Sequence, residues 1–173
     1  ASGIHITFSP NGAYQALWNP RAETLKPLIE AGQVQIANHT FSHHDMTRSS
    51  DSSVVADIER NDEWVQKSFG ITTRPYLRPP YGNYDARTNE IAGSLGYTSI
   101  LMWNGTFGDS SPITTSQIID LANRWMRPGA IMLGHANYPT IEGIYSNIES
   151  IIATRGLRTV TLDEMFKTSR NSA

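Results

Sequence analysis

Val34-Gln35-Ile36-Ala37-Asn38-His39-Thr40-Phe41-Ser42-His43-His44-Asp45 is the stretch on which the fold reading turns. Val34 and Ile36 alternate with a polar residue, as a short strand does. The run then breaks into a polar loop holding three of the chain's five histidines. In α/β folds, sites are built where strands end at their carboxyl edge. The same arrangement recurs outward along the chain. Tyr76-Leu77 runs into Arg78-Pro79-Pro80-Tyr81-Gly82, and the apolar stretch Tyr97 to Trp103 runs into a loop, Asn104 to Ser111, that carries Asp109. Ala130 to Leu133 runs into Gly134-His135. Four strand ends loaded with reactive side chains are hard to assign to coincidence.

Helical segments fill the intervals. Residues 21–31 read as a helix stopped by Gly32, and a longer one is capped by Asp51 or Ser52 and ended by Gly70. Val54, Val55, Ile58, Val65 and Phe69 share a face of that longer helix. Further helices are expected at about 85–95 and 115–126, and one carries Ile144, Ile148, Ile151 and Ile152 on one side. Ile4 to Phe8 opens the chain as a strand, Val160 lies in a last strand, and Asp163 caps a terminal helix. Strand and helix alternating about six times argue for parallel strands with helices outside, an α/β class. A doubly wound sheet and a (β/α) barrel both satisfy that pattern.

The 173 residues, 19.2 kDa, suit a single domain spanning 1–173. Charged residues make up 17% against a typical ~25%. With 14 Lys and Arg against 16 Asp and Glu, the net charge is −2, so neither nucleic acid nor an anionic membrane is an expected partner. The absence of cysteine excludes disulfides, a thiol nucleophile and thiolate metal sites, and it suits an exported protein. No apolar run approaches membrane-spanning length, and no basic segment leads into an apolar one at the start, so any signal peptide is expected to have been removed.

His39 and His43 have a spacing that brings two residues onto one side of a helical turn. Two neutral imidazoles so placed suit a divalent metal such as zinc. A solvated, His-rich helix start capped by Thr40 or Ser42 explains the spacing equally well. Catalytic zinc normally takes three protein ligands, and His44 and Asp45 are the nearest further candidates. Arg78 heads a proline-stiffened loop, which suits orientation of a carboxylate or oxyanion, or is a plain turn with an exposed arginine. His135 emerges from a buried strand either as a general acid or as a core histidine bonded to backbone. Asp109 either caps its loop or holds His135 by charge attraction.

Together the stretches HTFSH at 39–43, RPPYG at 78–82, the Asp109 loop, LGH at 133–135 and LRTVTLDEM at 157–165 resemble the polysaccharide deacetylase family. This is the NodB-type homology domain of family 4 carbohydrate esterases, and the resemblance covers nearly the whole chain. It implies a distorted (β/α) barrel of the polysaccharide deacetylase type. It implies hydrolysis of acetyl groups, mainly N-acetyl, from a glycan such as chitin or peptidoglycan. By the same resemblance His39 and His43 ligate a divalent metal, usually zinc, and Arg78 orients the catalytic base. Tyr81 offers its backbone N–H to the oxyanion, Leu133 lines the acetyl pocket, and His135 is the general acid assisted by Asp109. A polysaccharide or oligosaccharide is the expected partner, and a secreted or cell-envelope location is expected.

Two departures stand out. Ser110 follows Asp109 where the family commonly has Trp. The family's opening TFDDG-like strand, source of the base and a third metal ligand, has no counterpart; Thr7-Phe8-Ser9-Pro10-Asn11-Gly12 instead resembles the family's second strand. The expectation is therefore a domain lacking its first strand and helix, a weak catalyst by itself, with its own N-terminal segment as a partner. A glycan-binding protein of deacetylase ancestry, stacking sugars on Tyr81 and Tyr84, is the alternative.

Overall fold

Parallel strand pairs separated by helices make up the structure, a computed structural model that describes residues 3–136 and 143–166. The residues group into two units: residues 3–101 with 160–166, and residues 102–136 with 143–159.

In the first unit β1 (Ile6–Phe8) pairs with β2 (Val34–Ile36), Ile6 opposite Val34. β3 (Tyr76–Leu77) pairs with β4 (Ser99–Ile100). A single bridge, Asn38 to Leu77, joins the extension of β2 to β3. Four helices connect these strands: α1 (Gln15–Trp18), α2 (Ala22–Glu30), α3 (Asp51–Phe69) and α4 (Ala86–Ser94). The apolar stripe of α3 behaves as its spacing predicts, with Val54, Ile58, Val65 and Phe69 buried. One end joins Val34, Ile36 and Phe41 in a core cluster, and the other packs with Leu77, Ala92 and Tyr97.

The cap of α3 lies one residue earlier than its sequence suggests. Ser50 is extended and its hydroxyl accepts the Ser53 N–H, while Asp51 is the first helical residue and pairs with Arg87 at 2.6 Å. A carboxylate there suits the helix dipole, so Asp51 has a role without capping. Gly70 ends the helix in the left-handed region, as expected.

In the second unit β5 (Gly105–Thr106) pairs with β6 (Met132–Leu133). β5 lies inside the stretch that reads as a loop, because it opens on glycine. A Cβ at Gly105 would stand 2.4 Å from the Met132 sulfur, so the close approach of these strands requires the bare backbone. α5 (Thr115–Trp125) and α6 (Tyr145–Thr154) close this unit over Ile118, Ala122, Ile144, Ile148 and Ile151.

The strands are shorter than their apolar runs: only Ser99–Ile100 of the run from Tyr97 pairs, and only Met132–Leu133 of the run from Ala130. Val160 is not in a strand. The terminal helix α7 (Leu162–Phe166) is capped by Thr161, whose N–H donates to Glu164 at 2.8 Å and whose hydroxyl accepts the Glu164 N–H. Asp163, the expected cap, sits inside the first turn, because a reciprocal Thr and Glu pair satisfies two helix-end donors at once. Among the described residues no helix is long and apolar enough to cross a membrane.

Candidate active-site residues

β2 carries the chain inward until Ala37 and Asn38 have no exposed surface and His39 has 2%. The His39 Nδ1 lies 2.6 Å from the Arg78 carbonyl oxygen. A carbonyl only accepts, so Nδ1 carries the proton and the lone pair falls on Nε2, as in histidines that bind metal through Nε2. The His43 ring meets the His39 ring edge-to-face with centroids 4.7 Å apart, and the Tyr81 ring meets His43 at the same separation.

The histidines meet by another route than the helical turn their spacing suggests. Residues 38–45 form no helix. Thr40 and His43 stand at φ of 60° and 59°, in the left-handed region, and fold the loop back on itself. This also removes the reading in which Thr40 or Ser42 caps a helix start. The Thr40 hydroxyl accepts the His43 N–H, and Ser42 bonds the Asp57 carboxylate through its hydroxyl and its N–H.

Asp45 is spent on structure. Its carboxylate accepts from the Thr47 N–H at 3.0 Å, the Thr47 hydroxyl at 2.8 Å and the Asn83 amide at 2.8 Å. The Asn83 bond, the strongest influence, and those from Thr47 hold the carboxyl below its ordinary range. Through Asn83 it ties the histidine loop to the RPPYG loop. His44 is exposed. Neither joins the histidine pair, and the described residues contain no group of three His, Cys, Asp or Glu placed to hold a metal ion.

Arg78 is partly buried, and that burial pulls its guanidinium down to about 10. It makes no ion pair among the described residues. Beyond it, Tyr81 is also left-handed, at φ 59°, and 65% exposed. The Gly82 and Asn83 N–H groups close the turn onto Pro79 and Pro80, while the Tyr81 N–H makes no hydrogen bond among the described residues.

In the second unit His135 follows β6. Its backbone N–H donates to Asp109 Oδ2 at 2.6 Å and its Nδ1 lies 3.0 Å from Oδ1. The Asp109 side chain is 1% exposed and that of His135 34%. Asp109 is thus bonded to His135, and the imidazole stays partly open. Leu133 is half-buried and its carbonyl accepts the Phe107 N–H at 3.0 Å.

Three asparagines escape a reading of motifs. Asn38 Nδ2 lies within bonding reach of the Ile58 carbonyl, the Thr73 hydroxyl and the Tyr97 hydroxyl, at 3.0, 3.2 and 2.7 Å. Its Oδ1 accepts from Thr40 N–H and Asn61 Nδ2. Asn11 bonds the carbonyls of His39 and Thr40. Asn61 could have been noticed, since it falls between Ile58 and Val65 on the apolar stripe of α3.

A family model described as polysaccharide deacetylase matches residues 1–100. The chain belongs to the polysaccharide deacetylase family. A chitin deacetylase of Amylomyces rouxii is 30% identical over 126 residues, covering 72% of this chain and 27% of that protein. The peptidoglycan deacetylase PdaC of Bacillus subtilis shares the fold at a TM-score of 0.82 with 23% identity, over 96% of this chain and 78% of that one. A family 4 carbohydrate esterase pseudoenzyme from Bacillus anthracis superposes at a TM-score of 0.77 with 20% identity, over 93% of this chain and 55% of its own. This family member spans 27%, 25% and 49% of the first curated relatives it matches.

Proposed function

We propose that this chain belongs to a metal-dependent deacetylase that removes acetyl groups, mainly N-acetyl, from a polysaccharide such as chitin or peptidoglycan, on a secreted or cell-envelope protein. Closure of its α/β units into a distorted barrel is part of the same reading. The observation that carries it is the His39–His43 pair, with ring centroids 4.7 Å apart and the His39 tautomer set by the Arg78 carbonyl.

The donor chemistry fits a divalent metal, most simply zinc, at these two positions, since neutral imidazole suits zinc and its outer nitrogen is held as outer-shell partners hold it. Such a metal would polarise the acetyl carbonyl and activate a water. The chain's own residues supply the rest. Arg78, a partly buried cation, is suited to orient a carboxylate or developing negative charge. The Tyr81 N–H is a donor for the oxyanion of the tetrahedral intermediate. Asp109 accepts a hydrogen bond from the Nδ1–H of His135, so Nε2 is the nitrogen that gives and takes a proton. Leu133 offers apolar surface to the acetyl methyl.

A second reading, a non-catalytic glycan-binding protein, is favoured by the lack of a third ligand beside the histidine pair among the described residues and by exposed Tyr81 and Tyr84. Incubating the chain with N-acetylated chito-oligosaccharides and with peptidoglycan fragments, with and without zinc, separates the two. Acetate release that needs zinc and is lost in His39→Ala supports the deacetylase. Glycan binding without any acetate release refutes it.

A further inference from the structure

The histidine loop raises a question its ligands do not answer: what holds Thr40, a β-branched residue, in a left-handed conformation that such residues rarely adopt? The φ and ψ of Thr40 are the relative rotations of the peptide units on its two sides. Asn11 grips both. Its single NH₂ group donates to the carbonyl of His39 at 2.6 Å and to that of Thr40 at 3.0 Å, so each of its two protons has its own acceptor.

From the other direction the Thr40 N–H donates to the buried Asn38 carboxamide at 2.9 Å. With both planes fixed, the Thr40 hydroxyl stands where it accepts the His43 N–H, and the two imidazoles meet. Asn11 is itself held. The Gly12 N–H donates to Asn61 Oδ1 at 2.8 Å, and the Ala13 N–H to the Phe41 carbonyl at 2.9 Å. A Cβ on Gly12 would lie 2.3 Å from the Phe41 ring, so only glycine lets the segment close over the loop.

We propose that Asn11 is the positioning residue of the histidine pair: its carboxamide locks the two peptide planes around Thr40 and so sets the His43 imidazole against that of His39. The inference rests on the reading that the pair binds a divalent metal. Asn11 acts through the backbone carbonyls of His39 and Thr40.

The test is a titration of the metal-free chain with Co²⁺, followed by the visible absorption of the bound ion, in wild type and Asn11→Ala. Asn11→Ala is expected to bind Co²⁺ about 10- to 100-fold more weakly, the range for loss of an outer-shell partner, with an altered band shape and a native thermal transition. Should Asn11→Ala unfold, Asn11→Gln, whose donors sit one methylene too far, carries the same expectation. Unchanged affinity and band shape in a folded variant overturn the positioning role alone. Absence of Co²⁺ binding in wild type overturns the metal reading and this inference with it.

Discussion

Replacing Asp109 by Asn changes little in shape and much in hydrogen bonding. The carboxylate accepts twice from His135, from the backbone N–H at 2.6 Å and from Nδ1 at 3.0 Å, and its side chain is 1% exposed. A carboxamide has one oxygen. The backbone N–H cannot be reversed, so the oxygen turns to it and the NH₂ faces Nδ1. Nδ1 must then accept, and the ring proton moves to Nε2. Both bonds to the ionised group, about 1.5–3 kcal/mol each, become neutral bonds of about 0.5–1.5 kcal/mol each. The difference, roughly 2–3 kcal/mol for the two bonds, is about 30- to 150-fold in the folding constant, read as a lowered urea midpoint. If His135 works through Nε2, the wrong tautomer also removes an acid–base contribution of about 10²–10⁴ in turnover. Nitrogen NMR of the imidazole reports the tautomer, urea melts the stability, and acetate release the turnover. A ring that keeps its proton on Nδ1 in Asp109→Asn, or full turnover with the tautomer reversed, refutes the reasoning.

Three further outcomes follow from packing and charge. For Asp62, burial would push the carboxyl up, but the Thr73 N–H and hydroxyl, Arg74 and the Thr72 hydroxyl outweigh it and hold it below its ordinary 3.8. A depressed carboxyl contributes stability above 3.8 that is lost as pH falls through its folded value, so Asp62→Asn should be less stable at pH 7 with a weaker acid dependence below pH 4, measured by urea melts across pH. Gly12→Ala drives a methyl into the Phe41 ring, a clash expected to cost about 1–3 kcal/mol and to lower the thermal midpoint by calorimetry. Ile118→Ala empties a fully buried position and should cost about 2–5 kcal/mol in urea, whereas Leu17→Ala, 60% exposed, should stay within about 0.5 kcal/mol.

The helices were legible because their signals are local. The stripe of α3 and its closing Gly70 are written within 20 residues, and only the cap moved, to Ser50. Strand limits were not legible, since pairing depends on a partner far along the chain: Gly105–Thr106 is a strand only because Met132–Leu133 lies beside it. Motif order made the family legible and offered His39, His43, Arg78, Tyr81, Asp109, Leu133 and His135 as candidates. How His39 meets His43 was not, because the spacing suggests a helical turn while the contact comes from two left-handed residues. The choice between a capping Asp109 and one that holds His135 likewise awaited the 3.0 Å contact.

Residue types and their order thus determined the chemistry available to this chain, since imidazole, guanidinium and carboxylate are fixed by covalent structure. Only the tertiary structure decided which of them are poised. Asn11 bonds carbonyls of residues 28 and 29 positions away, and Asn38 reaches Tyr97 across 59. Contacts that remote leave no local pattern, because they form where separate segments are buried together and every polar group must find a partner.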